Sequence, residues 1–273
     1  MDEGDLERIH RRLCQAKRPL LMVGGSRWTA QARADILDFA VNMDLPVCCS
    51  MRRLDIIDNT HPCFVGEMGI APNPNLAQRF KDADLLLVVG ARLGEMTSQG
   101  YTLLSLEDAA HKLVHVHVDE AELGKVFTPA IGVASTPESF ARSAKDLTPA
   151  TDRWAGWRAQ ARADYDAWRR PQAVSGPLDL AHAMAELDAL LGDDAIVTVD
   201  AGNFSGWAQR YLTFGGARKF IGPTNGAMGY GVPGGVAAKT AYPDRQVVVF
   251  VGDGGFGMTG QEIATAVQQG QNL

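Results

Sequence analysis

Asp253 is a single carboxylate set among glycines, in Gly252-Asp253-Gly254-Gly255, and this turn directly follows Gln246 and the apolar run from Val247 to Val251. Glycine N–H groups at such a turn, with a helix starting behind them, can hold the oxygens of a diphosphate. The carboxylate is a hard oxygen ligand for the Mg2+ that a diphosphate carries. The plainer alternative is a β–α turn in which Asp253 caps the helix, and Gly-Asp-Gly by itself does not choose between them. Two more glycine-containing stretches, Asp200-Ala-Gly202-Asn203 and Asn225-Gly226-Ala227-Met228, stand where strands are expected to end. Together they put three strand ends along one crevice. Elsewhere His115 and His117 alternate with valines, which places both rings on one face of a strand. No third ligand stands at a zinc-like spacing, so a structural role outweighs a metal pair.

These groups need a scaffold, and the apolar pattern supplies one. Val247 to Val251 is β-branched and continuous, which predicts a strand buried on both faces, followed by a helix over 258–269. Upstream, helix 6–17 precedes a strand 20–23 ending in Gly24-Gly25. A helix over 29–43 then precedes the strand 46–49, strand 84–89 leads into Gly90-Ala-Arg92, and strand 112–118 leads into Asp119-Glu120. Strands alternating with helices indicate βαβ units and a parallel sheet. The chain is therefore expected to be α/β, with two Rossmann-like parallel-sheet domains. The first covers residues 1–148, a connecting helix lies in 149–176, and the second domain covers 177–273. The connecting segment carries Trp154, Trp157, Tyr165 and Trp168, an aromatic stripe that fits helix packing better than nucleic-acid stacking. Gly24-Gly25 lacks the full Gly-x-Gly-x-x-Gly fingerprint, so a nucleotide site in the first domain stays open.

At 273 residues with 46% apolar and 21% charged residues, the chain can bury ordinary cores. A net charge of -6 argues against nucleic acid or an anionic membrane surface as the main partner. A small molecule is the expected ligand. Cys14, Cys48, Cys49 and Cys63 form no Cys-x-x-Cys pair and read as reduced thiols of a cytoplasmic protein. The first residues are too charged for a secretory signal, and no apolar run reaches membrane-spanning length.

The stretch Gly226-Ala-Met-Gly-Tyr-Gly-Val-Pro, together with Pro243 to Ala266, closely resembles the diphosphate-binding domain of thiamine-diphosphate enzymes, in particular their acetolactate synthase-like branch. Residues 1–148 resemble that family's central domain through Val89-Gly-Ala-Arg-Leu-Gly and Val116-His-Val-Asp-Glu-Ala-Glu-Leu-Gly-Lys. The resemblance implies that Asp253 binds Mg2+ and that Gly254 and Gly255 present N–H groups to the diphosphate. Gly202 and Asn203 would lie on its other side, although many relatives carry a different polar residue at Asn203. Gly226, Ala227 and Met228 would line the cofactor, with Met228 as the wedge that keeps its two rings bent. The implied chemistry is transferase or lyase action on a 2-oxo acid: decarboxylation, then release or carboligation; the alternative is a catalytically inactive nucleotide-binding module that keeps the fold. In the central domain the resemblance points to Gly24, Gly25, Gly90, Arg92 and Asp119 as residues near FAD, while other relatives keep this fold with ADP or with nothing bound.

Two departures qualify these expectations. The family's metal motif continues to an asparagine beyond Leu273, and its catalytic glutamate lies in a pyrimidine-binding domain that no residue here matches. The sequence thus reads as a fragment whose second domain is incomplete at its C-terminus. No catalytic residue is expected within it, and the isolated chain is expected to be inactive. The full-length parent is expected to form a homodimer or homotetramer.

Overall fold

The computed structural model describes residues 1–149, 154–172 and 176–273. The ends of the expected linker, 150–153 and 173–175, lie outside the described residues. The chain divides into two compact units, Met1–Ile57 with His61–Trp168, and Asp58–Thr60 with Arg169–Leu273.

In the first unit the elements run α1 (Glu3–Gln15), β1 (Pro19–Val23), α2 (Ala30–Asn42), β2 (Val47–Ser50), β3 (Phe64–Met68), α3 (Pro74–Asp82), β4 (Leu85–Val89), α4 (Leu106–Lys112), β5 (Leu113–His117), β6 (Ile131–Ala134), α5 (Pro137–Ala144) and α6 (Ala155–Arg169, whose last residue falls in the other unit). The strands form one sheet in the order β3-β2-β1-β4-β5-β6, every pairing parallel. β1 and β4 at its centre are buried at every position, as expected for strands covered on both faces. On one face α2 packs on α5, with Phe39 and Phe140 edge to face at 5.8 Å. On the other, Phe80, Leu76 and Ala161 join Leu20, Met22, Cys48 and Val88 in one core. The aromatic stripe of α6 is spent on this unit: the Trp157 indole donates to Pro19 O at 2.8 Å, and Tyr165 meets Phe64 edge to face. Just ahead of the helix, the Trp154 indole donates to Ala16 O at 3.0 Å.

β3 and β6 are strands that the apolar pattern did not mark. β3 contains Gly66 and Glu67, and β6 is a four-residue strand alternating buried and exposed. Both are recruited by pairing with a formed neighbour rather than by their own propensity.

The second unit contains α7 (Leu180–Leu190), β7 (Ile196–Val199), α8 (Ser205–Tyr211), β8 (Lys219–Ile221), α9 (Gly231–Ala241), β9 (Val247–Phe250), α10 (Asp253–Thr259) and α11 (Glu262–Gln268). Its sheet has the order β8-β7-β9, again parallel. α9 lies across β7 and β9, and a Cβ at Gly235 would come within 2.4 Å of Val249 Cγ2, so only glycine permits that approach. The short segment Asp58–Thr60 belongs here: Asn59 donates its N–H to Phe214 O at 2.8 Å and accepts the Phe214 N–H through its side chain at 3.0 Å.

Two expectations for this unit are corrected. Val248, Val249 and Phe250 are half-buried rather than enclosed, because β9 pairs only with β7 among the described residues and stands at the sheet edge. The single helix expected over 258–269 is two helices. The first begins at Asp253 itself, and the break falls at Gly260, where a Cβ would lie 2.6 Å from Phe256 O. No helix among the described residues is long and apolar enough to cross a membrane.

Candidate functional site

The three glycine-bearing strand ends of the second unit do converge, and a buried carboxylate joins them. Asp200, the residue after β7, is fully buried. Its Oδ1 accepts the Ala201 N–H at 2.6 Å, and its Oδ2 accepts the Gly229 N–H at 2.9 Å from the loop that follows β8. A Cβ at Gly255 would sit 2.3 Å from that same Oδ2, so α10 begins directly against Asp200. The loop after β8 is tied down at further points: Thr198 Oγ1 donates to Gly231 O at 3.1 Å and Thr259 Oγ1 donates to Gly229 O at 3.0 Å. A fully buried carboxylate of this kind is stable only with donors around it. The polar residue ending the run Ile196 to Val199 was the available signal for its role.

Above this buried joint the crevice is open. Asp253, Gly254, Gly226, Ala227, Asn203 and Gly202 are all exposed. Asp253 is the first helical residue of α10, its cap is Gly252, and no side chain makes a capping bond there, so the helix-cap reading of Asp253 is not what the structure shows. The first N–H groups of α10 have no acceptor within the helix. Gly254 is exposed, whereas Gly255 is buried with its Cα side against Asp200. Met228 is 47% exposed, and its Cε would be 2.8 Å from a Cβ at Gly254. Gly226 has φ +72 and no atom within 4 Å of where a Cβ would be, while the Ala227 N–H is held at 3.2 Å by the Asn225 side chain. Phe204, which the motif reading missed, lies between the turns at Gly202 and Gly252.

Such a donor set fits a metal-bearing diphosphate. Among the described residues no group of three or more His, Cys, Asp or Glu could hold a metal by itself. A lone exposed carboxylate beside free-standing glycine N–H groups suits a Mg2+ whose remaining ligands are phosphate oxygens and water. The half-exposed thioether of Met228 provides the apolar contact such a ligand's rings need.

The first unit's carboxyl edge is arranged differently. Gly25 (φ +70) and Gly90 (φ +74) let the loops after β1 and β4 press on each other: a Cβ on Gly25 would lie 1.9 Å from Gly90 O. Gly24 packs beneath Ser50, and its carbonyl accepts the Trp28 indole N–H at 2.7 Å. Asp119 caps a short 3-10 turn through the Ala121 N–H. Arg92 lines a pocket of about 70 Å³ together with Tyr101, His115, Glu122, Lys125 and Phe127. That is well below the ~300 Å³ at which cofactor pockets begin, so the FAD expectation takes no support from it. Lys125 holds Glu122 at 2.7 Å and lowers its pKa.

His115 donates from Nε2 to Ala91 O at 2.9 Å and is buried, which lowers its pKa despite that bond. His117 is linked through Nδ1 to the Asp119 backbone. The two rings stand 5.8 Å apart, and among the described residues they belong to no group of three or more His, Cys, Asp or Glu that could hold a metal. Cys48, Cys49 and Cys63 are buried and free.

Residues 6–143 match the family described as thiamine pyrophosphate enzyme, central domain, and residues 200–273 match thiamine pyrophosphate enzyme, C-terminal TPP binding domain. Among curated proteins, the chain is 31% identical over 254 residues to the acetolactate synthase isozyme 1 large subunit of Escherichia coli (strain K12), covering 92% of this chain and 44% of that one. It is 28% identical to the acetolactate synthase large subunit of Corynebacterium glutamicum, covering 97% and 43% of the two chains. Over 96% of its length it is 27% identical to the sulfoacetaldehyde acetyltransferase of Rhodobacter capsulatus, and covers 48% of that protein. The chain thus spans less than half the length of these relatives.

Proposed function

We propose, from the premise that this chain belongs to the thiamine pyrophosphate enzyme family, that its second unit holds Mg2+ and thiamine diphosphate for an enzyme acting on 2-oxo acids. When bound, that cofactor supplies the nucleophilic carbon and electron sink through which a 2-oxo acid loses CO2 and its acyl portion is passed on. Everything else is positioning. Asp253 would hold the cation, and the N–H groups of Gly254 and Gly255 at the start of α10 would face the diphosphate. Gly202 and Asn203 would take its opposite side, and Gly226 would leave the loop backbone open to it. Met228, half exposed above Gly254, would fill the space between the two rings and keep the reacting groups close, which is where orientation contributes most to rate.

One observation supports this reading above the others: Asp200 binds the Gly229 N–H and abuts Gly255, so the Met228 loop and the Asp253 turn are held to one buried carboxylate. The preferred reaction is acetolactate synthase-like carboligation, in keeping with the similarity to two such large subunits. The similarity to a sulfoacetaldehyde acetyltransferase favours acyl transfer to a different acceptor as the second reading. A homodimeric or homotetrameric, cytoplasmic enzyme is part of the same proposal.

Calorimetric titration of thiamine diphosphate with and without Mg2+ tests the cofactor assignment. Binding should require the cation and should be abolished by Asp253→Ala. Unchanged affinity in that variant would sink the site.

A further inference from the structure

We propose that Phe204 is a positioning residue whose ring sets the separation between the Gly202-Asn203 turn and the Gly252-Asp253 turn. The inference rests on the proposed diphosphate site, whose two sides these turns form. A Cβ at Gly202 would stand 2.6 Å from Phe204 Cε1 and 2.9 Å from Cδ1. A Cβ at Gly252 would meet the same two atoms at 2.9 and 3.2 Å. One edge of one ring therefore touches both turns, in the space that side chains would otherwise fill.

One feature ties the ring to this gap. Phe204 stands in the turn that enters α8 with helical backbone angles (φ -60, ψ -30). Gly252, for its part, has φ -82, a conformation open to any residue. Backbone geometry does not demand glycine at 252; the Phe204 ring stands where a Cβ would go. The turn that carries Phe204 is closed from below, since Ser205 bonds Gly202 O through both its N–H at 3.1 Å and its hydroxyl at 2.8 Å.

The test is a double-mutant cycle in the protein, with Mg2+ and thiamine diphosphate as the calorimetric probe and circular dichroism confirming that each variant is folded at the titration temperature. Gly252→Ala should weaken binding about tenfold, a modest loss for misplaced ligand groups. In the Phe204→Ala background the same change should cost less than about twofold, because the clash is gone and the two sites couple. Phe204→Ala alone should weaken binding about tenfold, and Phe204→Leu, which keeps apolar bulk, should recover most of that loss. Equal cost of Gly252→Ala in both backgrounds overturns the proposal. So does a Phe204→Ala variant that melts at lower temperature with unchanged affinity, since the ring is then a packing residue only. Asp253→Ala separates the two levels: if it also leaves affinity unchanged the site assignment falls with the spacer, and if it abolishes binding while Phe204→Ala does not, the spacer alone falls.

Discussion

Asp200 accepts the Gly229 N–H on Oδ2 at 2.9 Å, joining the end of β7 to the loop that follows β8. β7 is the central strand of its sheet, and the chain passes from β8 back across it to β9. The loop leaving β7 leads to α8, which packs on α7, and the loop leaving β9 leads to α10, which packs on α9; open α/β sheets form their ligand crevices where such loops part. A carboxylate at the floor of that crevice stops the loops from moving independently. It does so without occupying the surface, which is left to Asp253, Gly254 and Met228.

Asp200→Ala should destabilise the second unit by about 2–4 kcal/mol, because a buried acceptor is lost and the N–H groups of Ala201 and Gly229 are left without it. Asp200→Asn keeps a carbonyl oxygen and should cost less. Urea unfolding followed by circular dichroism reads both; equal stability of wild type and Asp200→Ala would show that the joint carries no weight.

Met228→Ala in the active enzyme should lower kcat more than it weakens cofactor binding. Met228 is 47% exposed and its side chain is apolar, so the loss falls on the geometry of the reacting groups rather than on the diphosphate. Steady-state kinetics at saturating cofactor, paired with a binding titration, distinguish the two. If kcat is preserved while affinity collapses, Met228 is an affinity residue instead.

His115 gives the first unit a pH dependence with a definite sign. Burial holds its folded-state pKa below the ordinary 6.5, so the unfolded chain binds the proton more readily. This contribution to stability is complete above pH 6.5 and is lost as the pH falls from 6.5 toward the lowered folded value. The slope from this single group is at most about 1.4 kcal/mol per pH unit. His115→Gln, which retains a donor for Ala91 O, should flatten the stability profile in that window when midpoints of denaturant unfolding are compared between pH 5 and 7.

Thiol chemistry should separate Cys14 from the rest. Burial pushes the Cys63 thiol up to about 11 and raises Cys48 and Cys49 as well, whereas Cys14 is only partly covered. A thiol reagent at pH 8 should modify Cys14 first, and the other cysteines only on unfolding. Mass mapping of the labelled peptides checks the order; early labelling of Cys48 or Cys49 would mean that the β2 region opens far more easily than its packing implies.

The sequence by itself determined the α/β class, the central strands and the glycine turns. Runs such as Leu85 to Val89 are apolar at every position, and a carboxylate among glycines after such a run has few structural settings. Those are local properties, carried by composition and spacing. Tertiary structure decided what depended on partners. β3 and β6 exist because β2 and β5 offer them hydrogen bonds, and β9 is half-buried because of its place at the sheet edge rather than its composition. Asn59 belongs to the second unit because Phe214, 155 positions away, completes its hydrogen bonds. Asp200 and Phe204 acquired their roles in the same way: a carboxylate needs donors to be buried, and a ring shows its use only when the glycines that make room for it, Gly202 and Gly252, are brought to its edge by two different strands.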